Sequence, residues 1–174
     1  MAIVKSHGGI VNVYSEPGNG TTFKVYLPAM KTASGAQRDS VPLPVLPRGN
    51  GETILLVDDE ASILTITTQT LKAFGYRVLT ACDGAEAVAV YAQHRDKISA
   101  VLTDMSMPIM DGSATIRALL KINPAIKIIA ASGLDANGGA TRVSEIGVKH
   151  FLTKPYTAGT LLKTLRAILE DTKP

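Results

Sequence analysis

The sequence predicts an α/β fold, a five-stranded parallel sheet with helices on both faces, preceded by a separate β-hairpin. From residue 52 onward, five short apolar runs alternate with segments in which apolar residues have helical spacing. Strands that alternate with helices form parallel sheets covered on both faces. Before residue 31, two runs of alternating polarity flank a Pro-Gly-Asn-Gly turn, which is typical of a hairpin.

The first 30 residues hold the predicted hairpin. Its strands are "GIVNVYS" and "TTFKVYLP", and "EPGNG" is the turn between them. Residues 31–51 are rich in proline and glycine and show neither a helical nor a strand period. We therefore expect a linker there, extended where the prolines cluster.

The remaining elements follow in order from residue 52 to residue 174. The five strands are predicted in the runs "TILLV", "RVLTA", "ISAVLT", "AIKIIAA" and "KHFLT". The first helix has an apolar face and stops at Gly75, and the last helix has a similar face. These faces comprise Ile63, Leu64, Thr67, Leu71 and Phe74 in the first helix, and Leu161, Leu162, Leu165, Ile168 and Leu169 in the last. Three further helices are predicted at residues 85–95, 113–122 and 136–146.

The composition limits the classes of protein to consider. A chain of 174 residues with 45% hydrophobic residues can form a core, but it has no apolar run of the roughly 20 residues that a membrane span needs. No signal-peptide pattern is present. The single cysteine, Cys82, excludes an internal disulfide framework and favours a reducing compartment. We expect a cytoplasmic chain without membrane contact, with Cys82 as a small buried residue.

The distribution of charge argues against nucleic-acid binding. The net charge is +3, and residues 1–51 account for all of it with five Lys or Arg against two Asp or Glu. Residues 52–174 carry thirteen of each sign. Nucleic-acid binding needs a concentrated basic surface, so we expect no nucleic-acid partner.

Polar side chains stand at the ends of four predicted strands. Asp58 and Asp59 follow the first strand, Asp104 follows the third, Ser132 the fourth and Lys154 the fifth. In an open parallel sheet, ligands bind outside the carboxyl ends of the strands. We therefore expect these five side chains along one edge, which we call the carboxyl rim.

Three clustered carboxylates require a cation. Two like charges about 4 Å apart cost roughly 4 kcal/mol at a protein-like dielectric constant. Mg²⁺ is a hard ion that takes oxygen ligands and keeps positions for phosphate oxygens. Together with the Lys154 ammonium and the Ser132 hydroxyl, such a site can bring a phosphoryl group onto a carboxylate through positioning and charge neutralisation.

Residues 52–174 resemble the receiver domain of two-component response regulators, which has a flavodoxin-like fold. The matching motifs are "LLVDDE", "VLTDMSMPIMDG", "IIAASG" and "FLTKP", in this order and at strand ends. The resemblance implies that Asp104 takes a phosphoryl group from the phosphohistidine of a kinase or phosphotransfer domain. It also implies that phosphorylation switches one surface of the domain. That surface is formed by the fourth predicted helix (residues 136–146), the fifth strand ("KHFLT") and the last helix.

The resemblance also assigns roles to the other rim residues. The implied Mg²⁺ ligands are Asp58, Asp59, Asp104 and the backbone carbonyl of Ser106. Lys154 would pair with the phosphoryl group, and Ser132 and Phe151 would form the switch pair. The family further implies a cis peptide bond before Pro155.

The segment "SHGGIVNVYSEPGNGTTFKVYLP", residues 6–28, resembles the end of the ATP-binding domain of a sensor histidine kinase. The helix with its Asn, the Asp-x-Gly-x-Gly loop and the Gly-rich lid that hold ATP are not in this sequence. We therefore expect residues 1–30 to be a C-terminal fragment of that domain. The parent protein would be a hybrid histidine kinase, with this chain as its C-terminal piece and without kinase activity of its own.

Alternatives remain for the rim. Asp58 and Asp59 are also compatible with a solvated turn that caps the next helix. The Asp-x-Asp of aspartate-nucleophile phosphatases and the Gly-x-Gly-x-x-Gly of dinucleotide-binding domains are both missing after the first strand. The serious rival is a receiver-fold docking module that regulates a histidine kinase without being phosphorylated. Uptake of phosphate from a small phosphodonor with Mg²⁺ separates the two.

Overall fold

The computed structural model describes residues 2–29, 45–133 and 146–171. The chain divides into two compact units, Met1–Leu43 and Pro44–Pro174. The helix predicted at residues 136–146 falls almost entirely outside the described residues.

The first unit contains the predicted hairpin. A short helix, α1 (Ala2–Ser6), precedes strands β1 (Ile10–Glu16) and β2 (Gly20–Tyr26). The two strands are antiparallel, with Ile10 opposite Tyr26 and Glu16 opposite Gly20. Gly18 and Gly20 have φ angles of 81° and 86°, a region in which glycine is favoured. The hairpin prediction is confirmed.

The second unit is the predicted parallel α/β domain. Its elements are β3 (Thr53–Val57), α2 (Ala61–Ala73), β4 (Arg77–Ala81), α3 (Gly84–His94), β5 (Ile98–Asp104), α4 (Gly112–Ile122), β6 (Lys127–Ser132), β7 (His150–Thr153) and α5 (Ala158–Glu170). The sheet has the order β4-β3-β5-β6-β7, and each neighbouring pair is parallel. The prediction of a five-stranded parallel sheet is confirmed.

Two core clusters lie on opposite faces of this sheet, because successive strand residues point to opposite sides. In β3, Leu55 and Val57 belong to the cluster that α3 and α4 cover, with Tyr91 and Ile116 among its members. Ile54 and Leu56 belong to the cluster that α2 and α5 cover. We call these the first and the second core cluster. Helices on both faces follow from apolar residues on both faces.

Caps determine where the helices begin and end. Asp83 and Asp111 are the N-caps of α3 and α4, and their carboxylates accept hydrogen bonds from backbone N–H groups three residues later. Both helices therefore begin at the glycine after the cap, one residue earlier than predicted. The C-terminal stop at Gly75 is present, with a φ of 89°.

Residues 45–51, expected to be linker, lie against the second unit, and we call them the strap. Leu46 packs against the second core cluster. The guanidinium of Arg48 lies 5.7 Å from the centroid of the Phe74 ring, a cation–π distance. The end of the expected linker therefore belongs structurally to the α/β unit.

Two glycines let the strap approach the backbone closely. The Gly49 N–H donates to the Phe74 carbonyl at 2.8 Å, and the Gly51 N–H donates to the Gly75 carbonyl at 3.0 Å. A Cβ on Gly49 would lie 2.6 Å from the ring of Tyr76. This close approach excludes larger residues at position 49.

Two further expectations can be compared with the structure. In the described part of the chain, no helix has both the length and the apolar character to span a bilayer. Cys82 is exposed at the end of β4, so its expected burial is wrong. Position 82 comes after the last paired residue of the strand, Ala81, where the strand pattern no longer predicts burial.

Candidate functional site

The first acidic pair follows β3, whose last four residues are buried. Asp58 is 3% exposed, and Asp59 and Glu60 are exposed. The Oδ1 atom of Asp58 accepts the Glu60 N–H at 3.0 Å. Glu60 is the N-cap of α2, without a side-chain capping bond. Asp58 therefore does not lie in a solvated turn, and neither aspartate is the N-cap residue of α2.

Asp104 ends β5, the middle strand of the sheet, and is 7% exposed. Its Oδ2 atom accepts the Ser106 N–H at 3.0 Å, and the Thr103 hydroxyl donates to its backbone carbonyl at 3.0 Å. A Cβ on Gly112 would lie 2.3 Å from that carbonyl oxygen. Because the start of α4 packs so closely on the Asp104 backbone, only glycine fits at position 112.

Lys154 joins the two buried carboxylates. Its Nζ atom lies 2.7 Å from Asp58 Oδ2 and 2.8 Å from Asp104 Oδ1, distances typical of charge-assisted hydrogen bonds. Burial alone would lower the pKa of Lys154, but the hydrogen bonds and charges of Asp104 and Asp58 outweigh it and raise the pKa above its usual value. The Lys154 ammonium therefore stays charged.

The predicted switch residues lie on the last two strands, Ser132 at the end of β6 and Phe151 in β7. The backbone N–H of Lys154 donates to the Ser132 carbonyl at 2.6 Å, which ties the end of β6 to the loop after β7. The expected cis bond is present between Lys154 and Pro155. Phe151 is partly buried and packs against the first core cluster. Ser132 is partly exposed at the carboxyl rim.

The donor set at the rim fits Mg²⁺. The predicted ligands Asp58, Asp59, Asp104 and the Ser106 carbonyl all offer oxygen, the atom that Mg²⁺ prefers. Among the described residues, no three acidic, histidine or cysteine side chains converge as a metal cage. Mg²⁺ does not need such a cage, since it usually binds one or two carboxylates together with water and phosphate oxygens.

Two features near the rim were not expected from the sequence. Ile109 is 91% exposed with a φ of 68°, and the Met110 N–H donates to the Pro108 carbonyl at 2.8 Å, which closes a strained γ-turn. Tyr156, two residues after Lys154, is partly buried and packs against the second core cluster.

A cavity of about 390 Å³ lies away from the carboxyl rim. Its lining includes Lys127 and His150, the first residues of β6 and β7, so it opens at the amino edge of the sheet. Lys127 is already engaged there, because its Nζ donates to the Leu169 carbonyl at 2.9 Å. The cavity is separate from the acidic cluster.

Sequence comparison identifies relatives of this chain. The model of the response regulator receiver domain matches residues 54–166. The sensor kinase CckA of Brucella abortus is 32% identical over 176 residues, which cover 97% of this chain and 18% of the kinase. The chain therefore spans less than a fifth of the length of this curated relative. Because the match covers almost the whole chain, it includes the hairpin.

Solved structures show the same fold. A response regulator receiver domain protein from Clostridium thermocellum has a TM-score of 0.64 and 31% identity, covering 67% of this chain and 93% of that one. CheY in the CheX–CheY–BeF₃–Mg²⁺ complex from Borrelia burgdorferi has a TM-score of 0.64 and 28% identity, with 67% and 87% covered. The second unit thus has the fold of these chains.

Proposed function

We propose, from the premise that this chain belongs to the response regulator receiver domain family, that Asp104 is its phosphoacceptor and that the donor is a phosphohistidine. The observation that carries the proposal is the contact between Asp104 and Lys154. A carboxylate that is 7% exposed stands at the end of the central strand with an ammonium 2.8 Å away. This arrangement supplies a nucleophile and a fixed positive charge for the incoming phosphoryl oxygens.

In the proposed transfer, a carboxylate oxygen of Asp104 forms a bond to phosphorus while the phosphorus–nitrogen bond of the phosphohistidine breaks. The imidazole nitrogen leaves with the electron pair of that bond, and the product is an acyl phosphate. The carboxylate gives up its own charge in the new bond, and the phosphoryl group brings its two negative charges to the site, where Lys154, ion-paired with Asp104, is placed to contact the phosphoryl oxygens. Positioning and charge stabilisation provide most of the catalysis in phosphoryl transfer.

Receiver domains bind Mg²⁺ for phosphorylation, and the Borrelia burgdorferi complex contains it. In this chain the proposed ligands are Asp58, Asp59, Asp104 and the Ser106 carbonyl. The bound ion would neutralise charge on the phosphoryl oxygens. Asp59→Ala should weaken Mg²⁺ binding by at least about tenfold, which is 1.4 kcal/mol. Glu60→Ala is the control, because it removes a neighbouring charge that is also exposed; equal losses in a metal titration would contradict the assignment.

Asp104→Asn tests the phosphoacceptor. With a small phosphodonor such as acetyl phosphate and Mg²⁺, the wild-type chain should gain one acid-stable, base-labile phosphate, and the variant none. Circular dichroism should show an unchanged fold, because the amide is nearly isosteric. Phosphate on the variant at the wild-type level would refute the role of Asp104. A wild-type chain that takes no phosphate would instead support the unphosphorylated docking module.

The proposed switch uses Ser132 and Phe151. Phosphate on Asp104 would attract the Ser132 hydroxyl, and Phe151 would turn into the space that the hydroxyl leaves. Phosphorylation would thereby shift the populations of two conformations of the neighbouring surface. Ser132 and Lys154 are already joined through their backbones, which supports a coupled response. The proposed surface comprises β7, α5 and the helix predicted at residues 136–146. Most of that helix lies outside the described residues. Amide exchange with and without beryllofluoride should change at β7 and α5; changes only beside Asp104 would refute it.

The proposed parent protein is a hybrid histidine kinase located in the cytoplasm. Residues 1–30 would be the C-terminal fragment of its ATP-binding domain, 31–51 the linker and 52–174 the receiver. The match to the sensor kinase CckA over 97% of the chain supports this division. The proposed partner is the phosphohistidine of that kinase or of a phosphotransfer domain.

A further inference from the structure

The strap is held to the second unit by few contacts. None of its seven residues is fully buried, and Val45 is 97% exposed. Two backbone hydrogen bonds, from Gly49 and Gly51, join it to the chain at the end of α2. Segments with few buried contacts open locally at a fraction of the free energy of global unfolding. The strap therefore has the contacts of a segment that can open by itself.

Two side chains of the strap reach the rest of the unit. Leu46 packs against the second core cluster, and a Cβ on Gly159, the second residue of α5, would lie 3.3 Å from its Cδ2 atom. The Arg48 guanidinium stands over the ring of Phe74, which is the C-cap of α2. The strap therefore contacts α5 near its start and α2 at its end.

An unpartnered hydroxyl lies under the strap. Tyr76 is 3% exposed, and its buried hydroxyl has no hydrogen-bond partner in the part of the chain that the structure describes. A Cβ on Gly49 would lie 2.6 Å from both Cδ1 and Cε1 of this ring, and Cε1 is bonded to the carbon that carries the hydroxyl. Burial of an unpartnered hydroxyl is unfavourable, and hydration relieves it when the cover opens. The Tyr76 hydroxyl therefore disfavours the closed strap.

The strap ends at a hinge. Gly51 has a φ of 90°, which favours glycine, and a Cβ there would meet nothing within 4 Å. The next residue, Glu52, is fixed to the sheet, because its carbonyl accepts the Arg77 N–H at 2.9 Å. Strand β3 begins directly afterwards. The strap can therefore leave its seat without breaking the pairing of β3 with β4.

We propose that the strap is a releasable latch, which opens at Gly51 while the α/β unit stays folded and which the Tyr76 hydroxyl keeps near release. The latch acts independently of the proposed phosphotransfer. Its opening adds residues 45–51 to the chain that precedes the receiver. An extended residue spans at most about 3.3–3.6 Å, so these residues provide up to about 25 Å of additional reach. The latch thereby sets how far the receiver can move from the unit that precedes it.

Amide exchange, measured by NMR on the full chain, tests local opening. The Gly49 and Gly51 amides should be protected about thirtyfold, as two backbone hydrogen bonds would provide. Amides of the middle strand β5 should be protected at least about a hundredfold more strongly. Equal protection of the strap and β5 would overturn the proposal, because the strap would then open only on global unfolding. Unprotected strap amides would overturn it too, since no closed latch would exist.

Tyr76→Phe keeps the ring and removes only the hydroxyl. Protection of the strap amides should rise about tenfold, because the closed state no longer buries an unpartnered hydroxyl. Tyr91→Phe is the control, since the Tyr91 hydroxyl accepts the Asn123 side-chain N–H at 2.9 Å and Tyr91 lies in the first core cluster. That variant should leave the strap unchanged and lower the free energy of unfolding. Wild-type or lower strap protection in Tyr76→Phe would overturn the role of its hydroxyl.

Gly49→Ala should hold the latch open, because the added Cβ would collide with the Tyr76 ring. The Gly51 amide should lose its protection, while amides of β5 should lose at most the strap's own contribution, about thirtyfold. Asn50→Ala, at the exposed position between the two glycines, should change neither. Unprotected β5 amides in Gly49→Ala would overturn the proposal, because the strap would then be required for the fold.

The reach can be measured by double electron–electron resonance between two spin labels. One label goes on the native Cys82, which is exposed, and the other on Lys24→Cys in β2, which is also exposed. Gly49→Ala should broaden the distance distribution towards longer distances, by no more than about 25 Å. Tyr76→Phe should add no longer component. Identical distributions in Gly49→Ala and the wild type would overturn the control of reach by the latch.

Discussion

The two units of the chain differ in how deeply their apolar side chains are buried. In the hairpin, Val11 lies opposite Val25 and Val13 lies opposite Phe23, so these four side chains share one face. Phe23 is 67% exposed there. In the second unit, by contrast, the apolar residues of β3 are almost completely buried between two layers of helices.

The difference shows that alternation of apolar and polar residues predicts strands but not the burial of their apolar side chains. Alternation is enough to form strands, and the hairpin has all seven residue pairs of its register. Burial requires a second layer, which the helices supply in the second unit. A two-stranded hairpin without such a layer is marginally stable in water. Hydrophobic residues in the two units should therefore contribute very different free energies of unfolding.

The sharpest test of this contrast compares one large side chain from each unit. Leu162→Ala, at a position that is 0% exposed in α5, should lower the free energy of unfolding by about 2–5 kcal/mol. Phe23→Ala in the hairpin should change it by less than about 0.5 kcal/mol. Urea unfolding followed by circular dichroism measures both, since the chain has no tryptophan. Similar losses would mean that the hairpin face is covered in solution.

Two deletions locate the boundary between the units. Removing residues 1–43 should leave the stability of the receiver unchanged. Removing residues 1–51 should cost about 2 kcal/mol, because it also removes two backbone hydrogen bonds at about 1 kcal/mol each. These are the bonds from Gly49 and Gly51, and the same deletion removes Leu46 from the second core cluster. A loss of stability on the shorter deletion would contradict the contrast between the units, because it would show that the hairpin stabilises the receiver.

The smallest expected effect concerns charge. In Mg²⁺-free buffer, Lys154→Met should lower the free energy of unfolding by about 1 kcal/mol, since solvent screens a partly exposed lysine. The Lys154 pKa is raised in the folded state, so its contribution is fully present below the unfolded lysine pKa of about 10.4. It is lost as the pH rises through the higher folded value. The difference between wild type and variant should therefore be constant near neutrality and shrink above about pH 10.4.

The hairpin offers a control for the size of this loss. Glu16 accepts a hydrogen bond from the Tyr14 hydroxyl, and both residues are exposed. Glu16→Gln should leave the free energy of unfolding at neutral pH as it is in the wild type, because solvent screens a pair of exposed side chains. A change of the same size as in Lys154→Met would show that the buried cluster has no special role.

Much of the fold was predictable because it depends on local patterns. Period-two and helical spacing predicted the sheet, and the topology of parallel strands brought Asp58, Asp104 and Lys154 to one edge. Contacts between distant segments without a pattern were not predictable. The strap looked like linker because its glycines and prolines have no period, yet those glycines are what allow its close approach to Tyr76.

The strap also has a consequence for building chimeras. A new input domain fused to this receiver should be joined before residue 44, so that the strap stays with the domain that it stabilises. Gly49 should be kept in any such design, since even an alanine there would collide with the Tyr76 ring. A fusion made at the start of β3 would instead leave that ring uncovered, and the chimera would begin with a weakened receiver whatever its new partner.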